Sequence, residues 1–419
     1  MKILIATAVY HPQVNGVAVF SHNLAVGLAK RGHEVMVICP SQNGKNHTET
    51  VDGVKIVYLK SVQARIYPDQ IHPVPEHKKI LGRKLPKLFY KHSFRVSIFP
   101  QVEVKRVLDE FKPDVVHVQV SDPIGLSVVW YARRHDIPVV TTEHSQPEVL
   151  TEQIKMPDVL RKGANALLNA YFRNRQSKSD FVTMPTEKSI RELLDNGKEF
   201  PVPVAAVSNG VDLSHFKPGE APSAIYEKYH ISREGLKILY VGRVDPEKQV
   251  GLVIEAFMKA RIKLPKTELI IVGDGVDKAR LEKLVEKKDF HDSVRFLGRV
   301  MPPELYEIYK IGDVFVTASE IETQGIVLIE AAATGLPIIA VDKGAVSEVC
   351  HTGENGYLCR PGAVDEISEA MVKILSDDDL RRKFMDASLK IAAEHDFERT
   401  LDKYINIYNK VITNAGRDL

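Results

Sequence analysis

The chain has 419 residues, enough for two or three domains that each bury a core, with an ordinary 44% hydrophobic and 27% charged content. Cys39, Cys350 and Cys359 are too few and too scattered for a disulfide framework or a zinc site, which suits a reducing cytosol. No apolar run approaches the roughly 18 residues of a membrane span, and MKILIATAVYHP is too short and too soon interrupted for a signal peptide.

The net charge of +2 conceals an asymmetry. Residues 1–213 carry 28 Lys plus Arg against 21 Asp plus Glu, the remainder 29 against 34, and residues 60–106 alone hold 11 basic and 3 acidic residues. Such a basic, partly hydrophobic segment suits an anionic membrane surface or another anionic partner, and equally a solvated basic face.

Residues 2–8 form an apolar strand, HPQVNGVAVF follows as a loop holding Gly16, residues 21–31 read as a helix ended by Gly32, and residues 35–39 give a second strand. This βαβ unit has a glycine in its first loop but no GxGxxG fingerprint, so it gives a dinucleotide site weak support. Residues 51–60 suit a strand pair turning at Asp52 and Gly53. Residues 61–100 lack periodicity, and their Pro, His and Lys content reads as an extended excursion over the surface.

An amphipathic helix is expected at 102–111, a buried strand at 114–120 with His117 inside it and Asp122 at its mouth, and a helix at 126–134. IPVVTTEHS then runs from strand to loop and sets His144 just past the strand's carboxyl end, the edge that faces ligands in open α/β sheets. A structural role for that histidine stays open from position alone. Residues 151–178 mix Leu160, Leu167, Leu168, Tyr171 and Phe172 with Arg161, Lys162, Arg173, Arg175 and Lys178, a basic amphipathic helix for lipid headgroups or for covering a core. A strand at 181–185, a helix at 186–194 and a strand running into the Asn209–Gly210 turn precede an acidic, proline-containing linker at 218–224, which places a domain boundary near residue 215.

Residues 236–242 begin a second Rossmann-like half. GRVDPEK joins this strand to a helix at 250–260, a position from which Arg243 and Lys248 both reach a diphosphate in the crevice. After a strand with a glycine turn at 269–275, a helix at 278–287, a strand at 294–298, a helix at 303–311 and a strand at 313–318 comes SEIETQGIVLIEAAATGLPIIA, residues 319–340. It reads as loop, helix opened by Gly325 and closed by Gly335, then buried strand after Pro337.

A helix starting at a glycine offers unpaired N–H groups and partial positive charge to a phosphate or diphosphate. Glu322 and Glu330 flank that start, and carboxylates beside a diphosphate repel it unless they face hydroxyls instead. Eight helical residues advance about 12 Å, against the about 5–5.5 Å between the carboxylates of a retaining glycosidase, so this is no hydrolase pair. Two solvent-facing glutamates are the plain alternative. Asp377 to Asp379 superficially suggests a metal-binding DxD but reads as the N-cap and first-turn acids of a helix at 378–393, and the last helix, 398–412, alternates aromatic and charged faces.

The pattern of Glu322, seven residues and Glu330, followed by AAATGLPIIA, resembles the signature of the retaining nucleotide-sugar glycosyltransferases of family four. The GR, four residues, K pattern at 242–248, the TTEHS context of His144 and the passage SNGVDLSHFKP also resemble that family, in its order. The resemblance implies the α/β GT-B fold, two Rossmann-like doubly wound parallel-sheet domains with a cleft between them. Residues 1–215 would bind the acceptor and 216–393 the nucleotide sugar, and 394–419 would pack back on the first domain.

It further implies that Glu322 contacts the transferred sugar, Glu330 the ribose, and the backbone at Gly325 and Ile326 the diphosphate, together with Arg243 and Lys248. Gly16 and Val17 would approach the donor phosphate and acceptor, although turn geometry alone also explains Gly16, and His144 would lie near the transferred sugar as a catalytic residue with Glu322. The diphosphate would leave without help from a metal, the acceptor hydroxyl attacking on the same face and domain closure completing the site.

The implied donor is a UDP- or GDP-hexose acting as co-substrate, with no separate cofactor and no nucleic-acid partner. ETQG at 322–325 resembles diacylglycerol glucosyltransferases and related glycolipid synthases, and the basic first domain agrees with a lipid acceptor at the cytoplasmic face of a membrane. The alternatives are a soluble-sugar or lipid-linked oligosaccharide acceptor and a non-catalytic sugar-nucleotide sensor on the same fold. A nucleotide-sugar epimerase lacks the Glu, seven residues, Glu context.

Overall fold

Short runs of Val, Ile and Leu bounded by Gly, Pro and Asp build two parallel sheets. The computed structural model describes residues 1–11, 13, 15–63, 70–72, 90–92, 95–119, 122–144, 158–194 and 200–416. The chain divides into two units, residues 1–207 with 401–419 and residues 208–400. The crossings thus fall at 207/208, against the expected division near 215, and within the helix Phe397–Asn414.

In the first unit eight strands lie in the order Val204–Ala206, Phe181–Met184, Val139–Thr142, Val115–Val118, Lys2–Ala6, Glu34–Pro40, Val54–Leu59, His47–Val51. All pairings are parallel except the last, where Asp52 and Gly53 turn a hairpin with φ of 50° and 80°. Strand order reverses at Lys2–Ala6, so the loops after it and after Val115–Val118 flank the position where open α/β sheets take ligands.

The helix Gly16–Lys30 begins earlier than the sequence pattern suggests, because the Asn15 side chain accepts from Ala18 N at 2.9 Å and caps it. Gly16 is therefore a first-turn helix residue, not a loop residue. The helix Pro123–Arg134 also starts early, capped by Asp122, whose Oδ1 accepts from Gly125 N at 2.8 Å.

Much of the basic excursion at 61–100 lies outside the described residues, as do residues 151–157. Within that excursion Val62–Gln63 pairs antiparallel with Arg95–Val96, and Gln70–His72 with Tyr90–His92. On the helix Asp158–Gln176, Val159, Leu160, Leu167 and Tyr171 are exposed, while Arg175 and Gln176 are buried. From Leu401 onward the last helix belongs to the first unit and buries Leu401, Tyr404, Tyr408, Val411 and Ile412.

The second unit has six parallel strands in the order Val294–Gly298, Glu268–Val272, Lys237–Val241, Val314–Val316, Ile338–Val341, Gly356–Cys359. Ile238 and Tyr240 enter the core on one face, Leu239 and Val241 the core on the other, as expected of a parallel sheet covered on both sides. Full burial of each such aliphatic side chain contributes about 1.5–3 kcal/mol. Order reverses between Lys237–Val241 and Val314–Val316, so the Arg243 and Glu322 loops emerge side by side at the switch point.

The helix Ile326–Ala333 buries Leu328, Ile329 and all three alanines. Gly335, with φ of 81°, ends it, its N–H and that of Leu336 returning to Ala332 O and Ala331 O at 2.9 Å. Asp377 caps Asp378–Glu394 by accepting from Leu380 N at 2.9 Å, and Asp378 and Asp379 pair with Arg381 and Arg382. Among the described residues no helix is long and apolar enough to cross a membrane.

Candidate active site

In the second unit the strand Lys237–Val241 runs into the 3-10 turn Pro246–Lys248, ended by Gln249 in the left-handed region at φ 52°. This turn delivers Lys248 to the neighbouring loop. Its Nζ donates to Glu322 Oε1 at 2.6 Å, Ser319 Oγ at 3.2 Å and Ile321 O at 3.3 Å. The pair is partly shielded, with 17% and 14% of the two side chains exposed. Arg243 does not join it but pairs with Asp245 and Glu247 of its own loop. Asp245 also accepts from Val276 N at 3.0 Å, tying that loop to the glycine turn after the next strand.

The Glu322 loop is held from behind. Glu322 O accepts from Ala345 N at 2.9 Å, and a Cβ at Gly344, where φ is 66°, would lie 2.6 Å from that oxygen. Gln324 is buried, its Oε1 accepting from Asn209 N at 3.1 Å and its Nε2 donating to Ser208 Oγ at 2.6 Å. Gly325 then takes φ 75°, and no side chain caps the helix it starts, so the amide end at Gly325 and Ile326 carries the charge of the helix dipole unopposed by an acidic first turn.

Glu330 projects from the second turn of this helix and accepts a 2.6 Å hydrogen bond from the Tyr309 hydroxyl. Burial pushes its carboxyl up to about 7, against the opposing pull of that hydrogen bond. It therefore titrates near neutral pH, unlike an ordinary glutamate.

In the first unit Gly16, exposed, and Val17, partly buried, form the start of the first helix. One turn on, Phe20 meets the His144 ring edge-on, centroids 5.2 Å apart. His144 Nε2 lies 2.7 Å from Gln119 Oε1, and burial lowers its pKa to about 4. Behind Gln119, His117 is enclosed, with Nδ1 2.6 Å from Tyr408 OH and Nε2 2.7 Å from Thr142 Oγ1. Burial first, and His144 second, lower its pKa to about 3. Both rings are neutral hydrogen-bonding groups near pH 7.

Beside His144, Glu143 and Arg175 form a buried ion pair at 2.5 Å, 5% and 4% exposed. Burial raises the Glu143 carboxyl, while Arg175 pulls it down. Among the described residues, Arg175 Nη1 and Asp122 Oδ2 are buried without a hydrogen-bond partner.

The structure thus gathers Lys248, Glu322, Gly325 and Ile326 on one edge of the second sheet, with Arg243 on the adjoining loop and Glu330 one helical step behind. It gathers Gly16, Val17 and His144 on the corresponding edge of the first. Gln119, Tyr309, Gln324 and Asp245 were not anticipated as site residues, and Arg175, expected on a basic amphipathic helix, is instead buried against Glu143. Gln119 had a signal, since the strand expected at 114–120 puts it two residues from His117 and on the same face, although the strand itself ends at Val118. Tyr309 had none, because its contact with Glu330 is made only by the fold.

The fold and these loops define a GT-B glycosyltransferase. The family profile for Glycosyltransferase Family 4 matches residues 14–215, and that for Glycosyl transferases group 1 matches residues 224–390. The chain belongs to this glycosyltransferase family. It is similar to an alpha-monoglucosyldiacylglycerol synthase of Acholeplasma laidlawii, 28% identical over 368 residues covering 85% of this chain and 84% of that one. It is also 28% identical to a GDP-mannose-dependent alpha-mannosyltransferase of Mycobacterium tuberculosis, over 86% of this chain and 84% of that one. The solved sucrose-phosphate synthase of Thermosynechococcus elongatus shares the fold, with a TM-score of 0.75 at 20% identity and 99% of each chain covered.

Proposed function

We propose that the protein moves a hexose, with retention of configuration, from a nucleoside-diphosphate sugar to the hydroxyl of a diacylglycerol-like lipid at a membrane surface. The observation that carries the donor reading is the Lys248–Glu322 pair beside the uncapped helix start. An arriving diphosphate meets the helix amides and draws Lys248 from Glu322, freeing that carboxylate for sugar hydroxyls. Arg243 makes the same exchange with Asp245 and Glu247. Glu330 takes the ribose hydroxyls.

In the transfer the bond from the anomeric carbon to the diphosphate breaks and one to the acceptor oxygen forms on the same face. The acceptor's proton leaves with the diphosphate. Arg243 and Lys248 stabilise the charge developing there, without a metal. His144, neutral, serves as a hydrogen-bonding group beside the transferred sugar.

The lipid acceptor is supported by the name of the Acholeplasma relative, by the basic first half of the sequence, and by exposed Val159, Leu160 and Leu167 on a helix that also carries Arg161 and Lys162. The test is release of UDP or GDP from a panel of UDP- and GDP-hexoses, with and without diacylglycerol in phosphatidylglycerol vesicles, all with EDTA. Lipid-dependent release from one donor is expected. Release independent of lipid would return the acceptor to soluble sugars, and nucleotide binding with no turnover on any acceptor would favour a sensor.

A further inference from the structure

We infer that Gln119 is a positioning residue that fixes His144 as the Nε2–H tautomer, leaving Nδ1 to accept a hydrogen bond from a substrate hydroxyl. The inference deepens the proposed transferase reading and rests on it for the identity of the partner, but its structural half stands alone.

Both His117 nitrogens are engaged, Nδ1 with Tyr408 OH at 2.6 Å and Nε2 with Thr142 Oγ1 at 2.7 Å. Thr142 Oγ1 is itself held by Thr183 Oγ1 at 2.7 Å and Tyr404 OH at 3.1 Å. The imidazole is thereby locked between a strand neighbour and the last helix.

Gln119 Nε2 sits 3.2 Å from His117 Nδ1 and 3.1 Å from Nε2, nearly equidistant from two nitrogens that already have other partners. That position is over the ring face, where an amide N–H is attracted by the π cloud and a carbonyl oxygen is repelled. The orientation of the amide follows, and it aims Oε1 at His144.

Oε1 is a carbonyl oxygen and can only accept. The 2.7 Å contact therefore requires a proton on His144 Nε2. In a neutral imidazole the other nitrogen then carries a lone pair. His144 Nδ1 makes no hydrogen bond among the described residues, and Phe20, edge-on to the ring, constrains its plane. The side chain is presented as an oriented acceptor, suited to a sugar or alcohol hydroxyl and unsuited to protonating a leaving group.

The experiment uses the full chain labelled with 15N-histidine and a long-range proton–nitrogen correlation, the His144 signals assigned by their loss in His144→Gln. Wild type is expected to show the Nε2–H form; the Nδ1–H form would overturn the inference. Gln119→Leu, which removes the acceptor, should shift the tautomer balance. It should also lower kcat about tenfold or more with the KM for the nucleotide sugar within about twofold, assayed with UDP-glucose or GDP-mannose and diacylglycerol vesicles. Gln119→Glu, which still accepts at His144 but brings a second oxygen over the His117 ring, should keep the wild-type tautomer and recover only part of the kcat lost in Gln119→Leu. An unchanged tautomer and kcat in Gln119→Leu would contradict the positioning role. Should no donor or acceptor turn over, the transferase reading fails while the spectra still decide the tautomer.

Discussion

At the carboxyl edge of its sheet the first unit carries neutral groups, His144 and His117 with lowered pKa values, linked by Gln119 and closed off by tyrosine and threonine hydroxyls. At the equivalent point the second unit carries ions, Lys248 on Glu322 and Arg243 on Asp245 and Glu247, with Glu330 poised to titrate near neutrality. The same topology supports both. The difference follows from what each edge is proposed to meet: a diphosphate that gains charge as it leaves requires cations, and a hydroxyl requires oriented neutral partners. Carboxylates hold those cations in place in the structure, so on the proposed reading an arriving diphosphate would exchange partners with them.

The sharpest way to break this contrast is at His144. His144→Ala should lower kcat by about 10²- to 10³-fold, the range for removing a preorganised hydrogen-bonding group, while UDP or GDP affinity stays within about twofold. Wild-type turnover in that variant would sink the role of the first unit's neutral edge.

Next comes stability. Arg175→Met leaves the Glu143 carboxylate buried and unpaired, and removing one partner of a buried pair costs about 3–5 kcal/mol. Urea unfolding should show that loss, and a change below about 1 kcal/mol would mean that water reaches Glu143.

Glu330 sharpens the other side. Its empty-state pKa lies above the unfolded value, so the folded state loses stability as pH rises from the ordinary carboxylate range through about 7. Ribose hydroxyls donating to the carboxylate would lower that pKa, so nucleotide binding near pH 7 should release a fraction of a proton and tighten as pH rises. Calorimetry in buffers of different ionisation heat reads this directly. Release that persists in Glu330→Gln would assign the proton to another group.

The smallest expected effect concerns the basic surface. Turnover on anionic vesicles should fall severalfold between low and physiological salt, since exposed charges are screened over about 8–10 Å. An equal fall on neutral vesicles would remove the basic surface from the acceptor argument.

Both sheets, the helix Ile326–Ala333 with its glycine boundaries, and the loop positions of Arg243, Lys248, Glu322 and His144 were legible because strand runs, glycine stops and βα order are local properties of sequence. The helix starting at Gly16 was misplaced because its start depends on one side-chain cap at Asn15, which no hydrophobic period reports. Tyr309 on Glu330, Gln324 on Ser208 and Gln119 between two histidines were illegible or barely legible, since each pairs residues that only the fold brings together. Nor does a loop sequence reveal that Arg243 and Lys248 rest on different carboxylates.

The most direct test of the contrast between the two edges is a calorimetric titration of UDP and GDP into wild type, Lys248→Ala and His144→Ala under one set of conditions. The preferred nucleotide is expected to bind at least about tenfold more weakly to Lys248→Ala, the scale of one charge-assisted contact, and with unchanged affinity to His144→Ala. Unchanged affinity in Lys248→Ala, or a large loss in His144→Ala, would contradict that contrast.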